Sequence, residues 1–294
     1  MTITTVEIES QPAVWRRALQ LTDTATGLLR RPDERMLVVG CGTSAFMADS
    51  FAILRETAGF GPTDAAYASE PARPRHYDAV LGLTRSGTTT EVADALRAVP
   101  PGVRKIVVTG VADSPCAALA DEVLVLDFAD EQSVVQTRFP TSFLLLARAA
   151  FGEDVSSLPD AAAAALADEP EVLTGPTYDH FVYLGRGWTN GLTQEAALKI
   201  REAAQAWAES YPLLDYRHGP LAVAHTGSLV WLLGADDPDL REQIAATGAT
   251  TVARLAPDPL VELVLAQRLA VRTAGRRGLN PDNPRYLTRA VVLD

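Results

Sequence analysis

A hydroxyl-rich turn is the first part of the sequence that could do chemistry. Residues 84–90, Thr-Arg-Ser-Gly-Thr-Thr-Thr, combine five hydroxyl side chains with one arginine and one glycine. An apolar run typical of a buried strand precedes the turn, and apolar residues at helical spacing follow it. Backbone N–H groups at a helix start attract anions, and hydroxyls and a guanidinium bind phosphate oxygens. The pattern predicts an anion site at Thr84, Arg85, Ser86 and Thr89.

A plain helix cap is the alternative interpretation of this turn, and it would need only one or two of the hydroxyls. The additional hydroxyls and Arg85 favour an anion site. The Gly-Lys-Ser/Thr sequence of nucleoside-triphosphate loops does not follow the turn. We therefore expect a smaller phosphorylated ligand.

A second group of charged residues lies on one predicted helix. Glu195, Lys199 and Glu202 are spaced so that they share a helix face. An exposed salt bridge would be the simpler interpretation, but the residues around them are largely apolar, which favours the lining of a cleft. His218 follows in a turn-forming sequence and could act as an acid or base near neutral pH.

The elements that must position these residues alternate between strands and helices, which predicts an α/β fold with parallel sheets covered on both faces. The strand and G-x-G turn that end at Ser44 recur near Thr189, with Gly40 aligned to Gly185. This repetition indicates an internal duplication. The predicted organisation is a helical arm (1–33), a first domain (34–155), a linker or helix (156–176) and a second domain (177–294).

The two predicted copies are not equivalent. The hydroxyl-rich turn of the first copy aligns with an acidic turn that contains Asp236 and Asp237 in the second. Carboxylates repel phosphate, so we expect the anion site to belong to the first copy only. The second copy then supplies the charged helix and His218.

Composition excludes several classes of function. The chain has 294 residues and a net charge of −11, which disfavours a nucleic-acid partner. Two cysteines and four histidines show no metal-ligand spacing, so we expect neither a metal nor another cofactor. No apolar run is long enough to span a membrane, and the N-terminus lacks a signal-peptide core. These observations predict a cytoplasmic protein without membrane contact.

Seven motifs in this order resemble the SIS (sugar isomerase) family and cover nearly the whole chain. They are Gly40-Cys41-Gly42-Thr43-Ser44, Ala68-Ser69-Glu70, Ser86-Gly87-Thr88-Thr89, Gly185-Arg186-Gly187, Glu195-Ala196-Ala197-Leu198-Lys199-Ile200-Arg201-Glu202, His218-Gly219-Pro220-Leu221-Ala222 and Asp282-Asn283-Pro284-Arg285. The resemblance implies two tandem flavodoxin-like SIS domains and a phosphosugar ligand. It also implies a homodimer in which the site is shared between subunits.

The same resemblance implies roles for individual residues. Glu202 matches the carboxylate that moves a proton between C1 and C2, and His218 matches the histidine that assists ring opening. Lys199 is assigned to the same catalytic group. The residues implied to bind phosphate are Thr84, Arg85, Ser86 and Thr89, and those assigned to the sugar are Thr43, Ser44, Glu195 and Arg289.

Arg289 departs from the family pattern, because it falls where the synthase members carry a C-terminal lysine. An arginine is a poor proton donor and cannot form a Schiff base, so only a substrate-holding role is expected. The predicted activity is aldose–ketose isomerisation of a hexose or hexosamine 6-phosphate, with deamination as an extension. A non-catalytic phosphosugar-binding regulator and a deglycase of sugar–amine adducts are the alternatives.

Overall fold

Two parallel β-sheets organise the protein, whose computed structural model describes residues 1–70 and 74–293. The first sheet has the strand order β2-β1-β3-β4-β5 and the second β7-β6-β8-β9. The strands are β1 (Met36–Gly40), β2 (Thr63–Tyr67), β3 (Ala79–Thr84), β4 (Arg104–Thr109), β5 (Glu122–Val125), β6 (His180–Gly185), β7 (Trp207–Pro212), β8 (Ser228–Leu232) and β9 (Thr250–Ala253). All strand pairs within each sheet are parallel.

Helices connect and cover the strands. They are α1 (Ile3–Glu9), α2 (Gln11–Leu19), α3 (Thr22–Leu29), α4 (Thr43–Thr57), α5 (Thr90–Arg97), α6 (Arg138–Ala150), α7 (Leu158–Ala167), α8 (Glu171–Thr174), α9 (Thr189–Ala204), α10 (Pro238–Ala245) and α11 (Pro259–Arg276). The predicted α/β class with parallel sheets and helices is confirmed. Within the described ranges, no helix is both long and apolar enough to cross a membrane.

The chain divides into two compact units. The five-stranded unit contains Ser10–Pro159 together with the C-terminal residues from Thr288 onward, and the four-stranded unit contains Met1–Glu9 and Asp160–Leu287. The strands of the two sheets fall into the predicted segments 34–155 and 177–294. Residues 71–73 and 294, which belong to those segments, lie outside the described residues.

The two chain ends differ from the predicted organisation. The expected helical arm, 1–33, is divided between the units, because α1 belongs to the four-stranded unit while α2 and α3 belong to the five-stranded unit. Asp282 holds α1 in place by accepting hydrogen bonds from the backbone N–H groups of Ile3 and Thr4, at 2.7 and 2.8 Å. The expected linker, 156–176, contains α7 and α8.

The second sheet repeats the order of the first four strands of the first sheet. In both copies the strand-to-helix turn follows a glycine, Gly40 after β1 and Gly185 after β6. A Cβ on Gly40 would lie 2.7 Å from the backbone of Ser44, and one on Gly185 would lie 2.8 Å from that of Thr189. Both glycines therefore let a helix start pack directly on its strand. The repeated topology agrees with the predicted duplication.

Within the described residues, the second sheet ends on β9 and has no strand that corresponds to β5. β9 is four residues long, and all four are half-buried. The next residue, Arg254, has a φ of +52°, which turns the backbone out of the extended conformation.

Candidate functional site

The hydroxyl-rich turn, residues 84–90, lies where β3 ends and α5 begins. Thr84 Oγ1 accepts a hydrogen bond of 3.2 Å from the Gly87 backbone N–H. Ser86 Oγ accepts from both the backbone N–H and the hydroxyl of Thr88, at 3.2 and 3.0 Å. The hydroxyls therefore shape the turn as well as offering donors, and Thr84 and Ser86 are both buried.

Gly87 is the residue that this turn requires to be a glycine. Its φ is +67°, a conformation that L side chains rarely adopt. A Cβ at this position would lie 2.1 Å from Ser114 Oγ. The backbone is also fixed by the N–H of Cys116, which donates to the Gly87 carbonyl at 2.9 Å. Ser114 is a supporting residue that sequence reasoning missed, since it lies on the loop after the next strand.

Thr43 and Ser44 begin α4 at the carboxyl end of β1, next to β3 in the same sheet. From β1 the chain leads to β2 on one side, and from β3 it leads to β4 on the other. Ligands of open α/β sheets bind outside the carboxyl ends of the strands at such a switch point. The structure thus brings Thr43 and Ser44 to the same sheet edge as the hydroxyl-rich turn, and both side chains are buried.

Arg85 has partners other than the predicted phosphate. Its buried guanidinium donates to the backbone carbonyl of Ser133 at 2.7 Å and to that of Arg289. The side chain therefore connects the hydroxyl-rich turn to two other segments of the five-stranded unit. These two bonds use two of the five guanidinium N–H donors, and the predicted phosphate-binding role of Arg85 stays a prediction.

Arg289, which was expected to hold the sugar, binds a carboxylate of its own unit. Its guanidinium lies 2.6 Å from Asp130 Oδ1 and donates to the Glu131 carbonyl at 3.1 Å. Two further bonds fix the tail it belongs to: Thr90 N–H donates to the Val291 carbonyl, and Leu293 N–H donates to Thr90 Oγ1. The C-terminal tail therefore runs along the start of α5.

Glu195, Lys199 and Glu202 form a connected group on α9. Lys199 Nζ lies 2.6 Å from Glu202 Oε2 and 3.3 Å from Glu195 Oε1. The side chain of Glu202 is 17% exposed, whereas those of Lys199 and Glu195 are 1% and 0% exposed. The predicted shared face is present, but only Glu202 is accessible. Its position makes Glu202 the member that can meet a ligand.

His218 ends a short 3-10 helix, Asp215–His218, and is exposed to solvent. Buried Tyr216 anchors this helix on the second sheet. Across the described parts of the chain, no hydrogen bond or ion pair joins His218 to Glu202 or Lys199. The structure of a single chain therefore does not assemble the predicted pair of Glu202 and His218.

The acidic turn of the second copy is occupied by its own partners. Asp237 accepts from the Leu240 N–H at 2.7 Å and from Arg217 at 2.9 Å, and these contacts lower the pKa of Asp237. Asp236 lies 2.8 Å from Arg241. Buried Glu262, which sequence reasoning missed, accepts from Gly234 N–H at 3.0 Å, and burial raises its pKa. Asp237 thus caps α10, and both aspartates of the turn pair with arginines, an arrangement that does not favour the binding of an anion.

Metal-binding and reactive-thiol chemistry find little support. No group of three or more His, Cys, Asp or Glu side chains among the described residues could hold a metal ion. Burial raises the pKa of both the Cys41 and the Cys116 thiol to about 11. Both thiols are therefore protonated at neutral pH.

Comparisons with known proteins agree with this geometry. Residues 28–150 match the family model of the SIS domain. The glutamine–fructose-6-phosphate aminotransferase (isomerizing) of Gloeobacter violaceus is 28% identical over 98% of this chain and 58% of its own length. The chain thus spans little more than half of that relative.

Two solved structures are similar over nearly their whole length. A glucosamine-6-phosphate deaminase from Thermotoga maritima has a TM-score of 0.86 at 28% identity and covers 99% of this chain and 100% of its own. A tagatose-6-phosphate ketose/aldose isomerase from Escherichia coli has a TM-score of 0.80 at 21% identity, covering 100% and 96%. The second likeness shows the fold alone. The predicted resemblance to the SIS family is confirmed by the match of residues 28–150 to the SIS-domain model.

Proposed function

We propose that the protein is a phosphosugar isomerase that acts on a hexose or hexosamine 6-phosphate. The observation that carries this proposal is the hydroxyl-rich turn, which lies beside Thr43 and Ser44 at the switch point of a SIS-domain sheet. Each sheet then corresponds to one flavodoxin-like SIS domain, and the two domains follow each other in tandem. Similarity to sugar-phosphate isomerases and deaminases supports the enzyme class.

The phosphate is bound by the turn. Ser86 and Thr89 offer hydroxyl donors, and Gly87 gives a ligand close access to backbone N–H groups. Arg85 contributes through its position: its cationic side chain keeps the turn and Ser133 together. Thr43 and Ser44 hold sugar hydroxyls at the adjacent helix start. Binding the phosphate remotely from the reacting carbons orients them for proton transfer.

Glu202 is the base of the proposed reaction. Its carboxylate removes the proton from the carbon next to the carbonyl, which leaves an enediol, and returns that proton to the neighbouring carbon. Lys199 lies 2.6 Å from Glu202 and fixes the carboxylate in position. Buried Glu195 acts on Lys199 and does not touch the sugar, which revises its predicted sugar-binding role.

His218 assists ring opening in this proposal. Because it is exposed and has no bond to the α9 group, we propose that it serves a neighbouring copy of the chain in a homodimer. The dimer is further proposed to be cytoplasmic. Sedimentation that shows only monomers together with full activity would contradict the shared arrangement.

Deamination is a second candidate for the same residues. The specific support is the deaminase from Thermotoga maritima, whose whole length matches this chain at 28% identity. With a 2-amino sugar, the same proton transfer gives an imine that water hydrolyses, and ammonia is the leaving group. One set of residues therefore serves both reactions, and the substrate decides between them.

The test is a panel of hexose and hexosamine 6-phosphates with detection of ketose and ammonia. Glu202→Gln keeps the size of the side chain but removes the base, so turnover should fall about a hundredfold or more while binding is retained. Glu242→Gln, on exposed α10, is the matched control and should behave like wild type.

Isotope exchange separates the alternatives. Wild type should exchange the C1 or C2 hydrogen of its substrate with solvent, and Glu202→Gln should not. Exchange at the wild-type rate in Glu202→Gln would disprove the assignment of the base. Binding without exchange or conversion would favour a regulator, and cleavage of a sugar–amine adduct alone would favour a deglycase.

A further inference from the structure

Two histidines of the four-stranded unit are joined through one serine. His180 is buried at the start of β6, and His225 belongs to the crossover segment, residues 213–227, which connects β7 to β8. Their rings are stacked, with centroids 5.9 Å apart and an interplanar angle of 7°. Ser228 Oγ lies 2.9 Å from His180 Nδ1 and 3.0 Å from His225 Nδ1.

Carboxylates contact the other nitrogen of each ring. His180 Nε2 lies 3.3 Å from Glu209 Oε2, and His225 Nε2 lies 3.1 Å from Asp179 Oδ1. Gly227 makes the second contact possible, because a Cβ there would lie 2.5 Å from Asp179 Oδ1 and 3.0 Å from His225 Nε2. The result is a continuous chain of five polar side chains.

One more acceptor faces His225. The Val223 carbonyl lies 3.2 Å from His225 Nδ1, and the backbone N–H of His225 donates to Ser228 Oγ at 3.0 Å. The acceptors Glu209, Asp179 and the Val223 carbonyl each call for a proton on the imidazole nitrogen that they face.

Proton counting then gives a definite result. Those three acceptors need three imidazole protons, whereas two neutral imidazoles carry only two. Ser228 can donate its single proton to His180 Nδ1 and accept from His225. All contacts are therefore satisfied when His225 carries both ring protons. Without the extra proton, at least one contact places two acceptors against each other.

We infer that His180, Ser228 and His225 form a proton-dependent latch that fixes the crossover segment to the second sheet. The latch holds when the histidine pair carries one extra proton and weakens when that proton is lost. The inference does not depend on the proposed function, because it concerns the mobility of a segment without substrate.

The groups that face the two rings come from β7 and from the residue before β6. Glu209 on β7 and Asp179 before β6 are the carboxylates, and Tyr211 on β7 donates to Glu209. Trp207 Nε1 also donates to Glu209, at 2.9 Å. Both carboxylates therefore act as acceptors toward the rings, as the proton count requires.

The sign of the pH dependence follows. The proton stabilises the latched form, so the latch is complete at the lower end of the range, about pH 5 to 8, in which histidines change charge, and is lost as the pH rises. The carboxylate of Asp179 is 71% exposed and the His225 ring is 50% exposed. Solvent therefore screens these interactions. We expect the equilibrium constant for local opening of the crossover segment to change by about tenfold or less between the two protonation states.

Hydrogen exchange of the full chain, followed by mass spectrometry, tests the inference. After correction for the intrinsic exchange rate, residues 219–227 of wild type should be up to about tenfold more protected near pH 6 than near pH 8. His225→Gln can still donate to Asp179 but cannot take up a proton, so its protection should not change with pH. His76→Gln, an exposed histidine beside Asp78 in the five-stranded unit, is the control and should match wild type.

Asp179→Asn provides a second variant. It replaces an acceptor-only carboxylate with an amide that can also donate to an unprotonated His225 Nε2, so the pH dependence of the protection should become weaker. Equal protection of the wild-type segment at both pH values would overturn the inference. A pH dependence that persists unchanged in His225→Gln would overturn it as well, because another group would then be responsible.

Discussion

The guanidinium of Arg85 donates a hydrogen bond to the backbone carbonyl of Arg289, which lies 204 residues further along the chain. A residue at the start of the hydroxyl-rich turn thus holds the C-terminal tail. Arg85→Ala should release residues 288–293, because it removes this bond and the one to Ser133. Hydrogen exchange of the C-terminal peptide should become markedly faster.

Arg97→Ala is the control for this prediction, since Arg97 is an exposed arginine of the same unit. It should leave the exchange of the tail unchanged. A tail that stays equally protected in Arg85→Ala would show that the bonds to Asp130 and Thr90 suffice to hold it.

Gly87→Ala should damage the hydroxyl-rich turn. The substitution combines a strained φ with a Cβ that overlaps Ser114, and we expect a loss of about 2–4 kcal/mol in the free energy of unfolding. Gly59 has a φ of +83°, but a Cβ there would have open space around it. Gly59→Ala should therefore lower the free energy of unfolding by only about 1 kcal/mol. Urea unfolding of the two variants measures this difference. Equal losses in the two variants would contradict the prediction.

The buried pair of Glu195 and Lys199 should be coupled in stability. Glu195→Gln removes one carboxylate from Lys199, and Lys199→Met removes the lysine cation from buried Glu195, each at a cost of about 3 kcal/mol in the free energy of unfolding. The double variant should lose less than the sum of the single variants by about 0.5–3 kcal/mol. Additive losses in urea unfolding would mean that the two side chains act independently.

Asp282 should make stability depend on pH. Partial burial raises the pKa of Asp282, but hydrogen bonds from Thr4 and Ile3 outweigh it, and the net pKa is lower than usual. The carboxylate therefore contributes stability above about pH 4, the ordinary pKa of an aspartate, and this contribution is lost as the pH falls through the lowered pKa.

Asp282→Asn should accordingly cost about 0.5–2 kcal/mol at neutral pH, as helix caps do, and nearly nothing near pH 2. Urea unfolding at several pH values gives the two curves. Asp23→Asn, in the first turn of α3, is a control that should show no such convergence. Parallel curves for Asp282→Asn would contradict the prediction.

The sequence allowed the central architecture to be predicted because it is encoded locally. Alternating strand and helix patterns predict parallel sheets, and the run at residues 84–90 marks a turn between a strand and a helix whatever surrounds it. Helical spacing likewise placed Glu195, Lys199 and Glu202 on one face. Spacing in the sequence shows which residues share a helix face, but it does not show how deeply that face is buried. It therefore did not reveal that Glu195 is fully buried.

Long-range contacts account for what was missed. The hydrogen bonds from Arg85 to the carbonyls of Ser133 and Arg289 were not foreseen, because no local pattern connects those residues to residue 85; the expected phosphate contact of Arg85 stays a prediction. The N-terminal helix α1 contacts α11 in the four-stranded unit and is capped by Asp282, and both pairings span most of the chain. Such contacts depend on the finished fold and leave no periodic signal.

The outer edge of β9 has a consequence for how copies of the protein behave toward one another. An exposed strand edge offers unpaired N–H and C=O groups to other chains and can seed aggregation. β9 offers only four residues, and Arg254 bends the backbone away from the extended form immediately afterwards. In the part of the chain that the structure describes, these two features shorten the edge that the second sheet offers, and replacing Arg254 with a β-branched residue would favour a longer edge.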